Sequence, residues 1–161
     1  MFSDVIGVEI NIAVKSRRNG EKMKLRALVY SGKGKLHTLA QEIVGKYASD
    51  VANSYDKIPP AYSCNKERMV VIVASVSKTL DAALERFAGE LTKERANNVA
   101  LIIDGPEAGA EALKNKIKEA GANVFDEVLY VKGGLPFLKG VKPEELSAAY
   151  AWLDKIIPEM V

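Results

Sequence analysis

Residues 29–40 read VYSGKGKLHTLA. A serine, two glycines and two lysines lie there between an apolar run ending at Tyr30 and an amphipathic pattern opening at Leu36. That order predicts strand, glycine-rich turn and helix. Such turns hold phosphate, because backbone N–H groups converge at a helix N-terminus where the macrodipole is positive. Gly32 and Gly34 let the backbone approach an anion closely or take positive φ. Lys33 and Lys35 add charge. An anion is therefore expected at Ser31, Gly32, Lys33, Gly34, Lys35 and Leu36. Two well-known phosphate loops are excluded by spacing. The dinucleotide fingerprint needs Gly-x-Gly-x-x-Gly, and His37 stands where its third glycine belongs. The triphosphate loop needs Gly-Lys followed by Ser or Thr, which occurs nowhere in the chain.

Little else in the sequence has the look of catalytic machinery. One histidine and one cysteine, Cys64, exclude an internal disulfide and a cysteine-built metal site. No Ser/His/Asp, paired-carboxylate or metal-spaced constellation is present, so hydrolytic chemistry is poorly supported. His37 reads as a solvent-facing polar residue, Cys64 as inert packing, and Trp152 and Tyr150 as core. Asp104, ahead of Gly105-Pro106, reads most simply as the cap of a helix. Lys15, Arg17, Arg18, Lys22 and Lys24 form a basic cluster. It reads as a solvated face blunting a sheet edge, or as a docking surface for an acidic partner.

The elements that must position these residues follow from hydrophobic periodicity. The chain has 161 residues, 48% of them apolar and 27% charged, with a net charge of +2. Those values suit one globular domain and argue against nucleic acid as a partner. No apolar run is long enough for a membrane helix and no secretory leader is visible, so a cytoplasmic location is the expectation. Residues 69–76 and 98–105 hold continuous apolar runs bounded by polar residues, as in parallel strands buried on both faces. Residues 25–32 and 124–134 are similar, and any second strand must lie within 51–58. Helical spacing marks four helices, beginning near Leu36, Leu80, Glu107 and Pro143. Gly121 is placed to cap the third and Pro143 to open the fourth. No helical pattern follows the second strand, where Pro59-Pro60 impose an extended path. The alternation is that of a doubly wound α/β domain over residues 23–161. Residues 1–22 alternate apolar and polar up to an Asn19–Gly20 turn, which predicts an added antiparallel strand.

Over roughly residues 24–158 this layout resembles the flavodoxin family, in its short-chain form. The resemblance implies a five-stranded parallel sheet in the order 2-1-3-4-5. It also implies FMN held through a Ser/Thr-x-Thr-Gly-x-Thr loop after the first strand. Ser31 and Gly34 match that motif, while Lys33 and Leu36 replace two hydroxyl residues. The isoalloxazine ring would then be bordered by Ser75, Val76, Ser77 and Lys78 and by Asp104, Gly105, Pro106 and Glu107. Neither loop carries the aromatic residue with which the family usually clamps the ring. The implied function is electron transfer through FMN with a redox partner protein. The alternative is an accessory or interaction module that has lost free FMN binding and works with a partner oxidoreductase.

Overall fold

The computed structural model describes residues 21–161. The antiparallel strand expected within 1–22 and the Asn19–Gly20 turn lie outside the described residues. Six strands follow: β1 (Leu25–Tyr30), β2 (Tyr55–Lys57), β3 (Glu67–Ser75), β4 (Ala96–Asp104), β5 (Asn123–Val124) and β6 (Leu129–Tyr130). Four helices accompany them: α1 (Gly34–Tyr47), α2 (Ala82–Gly89), α3 (Glu107–Ala120) and α4 (Pro143–Ile156).

Among the described residues all strand pairings are parallel, in the order β2-β1-β3-β4, with β5 and β6 both on the outer edge of β4. This is the expected 2-1-3-4-5 sheet. The fifth strand, expected to run through 124–134, is instead two short pieces. Phe125 turns into the core while Asp126 and Glu127 face solvent, and the Asp126 carbonyl accepts from the buried Lys114. The ladder resumes where Val131 N–H donates to the Ile103 carbonyl at 2.9 Å.

Both faces of the sheet are covered, which is why β3 and β4 are continuous apolar runs. Alternate residues sort onto the two faces. Leu25, Ala27, Val29, Val71, Val73, Ala100 and Ile102 pack under α1 and α4. Leu28, Val70, Ile72, Ala74, Leu101 and Ile103 pack under α2 and α3. In place of a helix, residues 58–66 return along the sheet edge through a cis Ile58–Pro59 bond. That return is held by the buried Arg26, whose guanidinium donates to the Tyr62 carbonyl at 2.6 Å. Cys64 from this stretch is buried in the second core, in agreement with a packing role. Among the described residues no helix is long and apolar enough to cross a membrane.

Candidate functional site

Strand register builds the site. Tyr30 lies opposite Ala74, and Ser75 lies opposite Asp104. One residue beyond β1, Ser31 therefore joins Ser75 and Asp104 in a row across the carboxyl ends of three central strands. Side-chain alternation places all three on the face that α1 and α4 cover. The row is hydrogen-bonded throughout: Ser31 Oγ meets Ser75 Oγ at 2.8 Å, and Ser75 Oγ donates to Asp104 Oδ2 at 3.1 Å. This edge, between β1 and β3, is the topological switch point where open α/β sheets place ligands.

Lys33 closes the row, with its Nζ 2.7 Å from Asp104 Oδ2. The Gly133 backbone N–H also donates to the Asp104 carboxylate. Burial pulls the Asp104 carboxyl upward. The bonds from Lys33 and Ser75, the Lys33 charge and the Gly133 amide outweigh it and leave the group below its ordinary value. Asp104 thus collects a lysine, a hydroxyl and a backbone amide, the donor types a phosphate would use. The expectation that it caps the third helix is corrected: the N-cap of α3 is Pro106, with no side-chain cap bond.

Several of the loop's remaining donors are also taken, although the Gly32 and Lys35 amides have no partner among the described residues. Lys33 N–H donates to Ser31 Oγ at 3.0 Å and Gly34 N–H to the Pro136 carbonyl at 3.2 Å. Lys35 is ion-paired to Glu145 of α4. Gly34 does need to be small, but for a neighbour within the chain: a Cβ there would lie 2.7 Å from Lys139 Cγ. Neither Gly32 nor Gly34 takes positive φ. Leu36 faces inward and is fully buried, as a core residue of α1. His37, expected to face solvent, is half-buried, with Nε2 2.8 Å from the Ser31 carbonyl and Nδ1 2.5 Å from Tyr55 Oη. A carbonyl can only accept, so Nε2 carries the proton and, in the neutral ring, Tyr55 donates to Nδ1. No local pattern signals this bond, because His37 is on α1 and Tyr55, 18 residues on, is on β2.

The two loops expected to border the ring are drawn together. Val76 N–H donates to the Asp104 carbonyl at 3.0 Å. Cβ atoms on Gly105 and Gly109 would lie 2.2 and 2.1 Å from the Val76 and Ser77 carbonyl oxygens. Gly105 has φ of +152°, a conformation side chains resist. Ser77, Lys78, Pro106 and Glu107 are exposed beyond this contact. The residues present do not fit FMN in this arrangement: Asp104 takes the Lys33 ammonium and the Ser75 hydroxyl at the edge of the loop, and the two ring loops are hydrogen-bonded to each other. An open cleft of about 630 Å³ does lie on the β2 side of the row, lined by Tyr30, Ser31, His37, Lys57, Ser75 and Asp81. Among the described residues no cluster of His, Cys, Asp and Glu has the makings of a metal site.

No protein-family model matches the sequence, and no curated protein matches it. A search of solved structures finds a flavodoxin from the domain Archaea, superposing with a TM-score of 0.54 at 15% identity. The match covers 85% of this chain and 97% of that one. At that identity the likeness concerns architecture, and with the strand order above it establishes that the chain has a flavodoxin-like fold.

Proposed function

We propose that this chain is a flavodoxin-like accessory module, which does not load FMN by itself and works with a partner oxidoreductase. The observation that carries this reading is Asp104, whose carboxylate takes the donors of Lys33, Ser75 and Gly133 at the carboxyl edge of the sheet. A phosphate arriving there meets a fixed negative charge, with the Lys33 ammonium and the Ser75 hydroxyl already engaged. The aromatic-free loops after β3 and β4 support the same reading. The test is to incubate the purified chain with FMN, pass it through a desalting column and record its visible spectrum. Colourless protein is expected. Yellow protein with quenched flavin fluorescence overturns the reading.

The electron-carrier reading is favoured by one observation, the cleft of about 630 Å³ beside Ser31, which has the size of a cofactor site. In it Ser31–Leu36 would hold the phosphate, with residues 75–78 and 104–107 beside the ring. Lys33 and Lys35 must first leave Asp104 and Glu145. When bound, the flavin supplies the redox chemistry, and the chain's own part is binding and orientation.

A further inference from the structure

The segment between β6 and α4, residues 131–142, reads VKGGLPFLKGVK and contains no Asp or Glu. It lies over the loop just described. Gly133 touches Lys33 and Asp104, the Pro136 carbonyl accepts from Gly34, and Lys139 packs against Gly34. At its tip the Leu138 N–H donates to the Leu135 carbonyl at 3.1 Å, closing a turn. The turn is pinned to α1 yet presents its apolar side chains outward. Leu135 is 54% exposed, Phe137 74% and Leu138 50%, three positions together on one turn, whereas most large apolar side chains fill two cores. Around them stand the exposed Lys132, Lys139 and Lys142, none within ion-pairing distance of a carboxylate among the described residues. Glu144 is the nearest acidic residue in sequence outside an ion pair, since Glu145 is held by Lys35.

We propose that this knob is the docking surface for a protein whose complementary face is an apolar pocket bordered by carboxylates. A fixed turn carrying an aromatic side chain loses little entropy on insertion, the property of an anchor residue. The exposed lysines, Lys132 and Lys139 above all, supply charge complementarity and steering. The proposal deepens the accessory-module reading by naming the partner's surface. The desalting experiment tests that reading independently, so the two fail separately.

The test uses the full chain carrying Phe137→p-benzoylphenylalanine, irradiated in the cell that produces it, with the cross-linked peptide sequenced by mass spectrometry. Tyr62→p-benzoylphenylalanine, at an exposed aromatic outside the knob, serves as control. The expected result is one adduct absent from the control, joined at an apolar peptide flanked by Asp or Glu. The purified partner should bind the Lys132→Glu/Lys139→Glu/Lys142→Glu variant about tenfold or more weakly than the original chain, with binding weakened by salt. Phe137→Asp should lose binding while both variants keep the far-ultraviolet dichroism of the parent. The proposal is overturned by the absence of such an adduct, by a cross-link to residues 1–20 of the same chain, or by binding indifferent to charge reversal. It is equally overturned if the chain sediments with phosphatidylserine-containing vesicles and the same variants abolish that, since the knob would then be a membrane contact.

Discussion

Removing the Asp104 carboxylate should convert the first loop into an anion site. In Asp104→Ala the Lys33 ammonium, the Ser75 hydroxyl and the Gly133 amide lose their shared acceptor, which Lys33 Nζ and Ser75 Oγ reach at 2.7 and 3.1 Å. A hydrogen bond involving a charged group contributes about 1.5–3 kcal/mol. Three such bonds to phosphate near the top of that range give about 8 kcal/mol, and association costs at least about 4 kcal/mol, which leaves about 4 kcal/mol, or a Kd of about 1 mM. In the parent chain phosphate must also sit beside the carboxylate. Two unit charges about 5 Å apart repel by about 3 kcal/mol at an effective dielectric constant of about 20, which corresponds to roughly two orders of magnitude in affinity. The assay is calorimetric titration with inorganic phosphate at neutral pH and low salt. Asp104→Ala should show the millimolar site and the parent none. The Lys33→Ala/Asp104→Ala double variant should lose the gain. The stability cost should be only about 1 kcal/mol, because Lys33 is 34% exposed and water replaces part of the interaction. Phosphate affinity within threefold between parent and Asp104→Ala would refute the view that the carboxylate occupies the loop.

Further outcomes follow from other contacts. A Cβ at Gly133 would lie 2.6 Å from Asp104 Oδ2 and 2.4 Å from Lys33 Cδ. Gly133→Ala should therefore destabilise the parent by about 1–2 kcal/mol in urea, and clearly less in the Asp104→Ala background, since the two share a contact. Asp104 is held below its ordinary value of 3.8. As pH falls the unfolded chain takes up this proton first, so the contribution of Asp104 is complete above about pH 4 and is lost below it. Acid titration of stability should accordingly be shallower in Asp104→Ala, and identical slopes would contradict this. Burial pushes the Cys64 thiol from 9.0 to about 11. Its contribution should be present below pH 9 and lost as pH rises toward 11, and Ellman's reagent at pH 8 should react slowly until urea is added. Asn98, fully buried, donates to the Arg68 and Val161 carbonyls and accepts from Asn123 and the Val161 N–H. Asn98→Leu strands those partners and should cost about 2–4 kcal/mol by urea denaturation, far more than Asn97→Ala on the same strand.

Most of the architecture was legible in the sequence. Strands covered on both faces need no polar side, so β3 and β4 announced themselves as unbroken apolar runs. Helices with one buried stripe showed their 3.6-residue spacing, and Pro59-Pro60 forecast the missing helix. The three-residue β2 could be bounded only within 51–58, because an edge strand that short carries little pattern. The break in the fifth strand escaped notice, because Phe125 and Val128 continue its apolar character through the interruption. The glycine loop also stood out from composition, together with the fact that a strand precedes it and a helix follows. Its state of charge did not. The partners of Lys33, Gly34 and Lys35 are Asp104, Pro136 and Glu145, separated from them by 71 residues or more. Local spacing carries no information about such pairs. Only the register of β1, β3 and β4 brings Ser31, Ser75 and Asp104 into one row beside Lys33, and only the packing of residues 133–145 over α1 gives the Gly34 amide and the Lys35 ammonium their partners in the same chain.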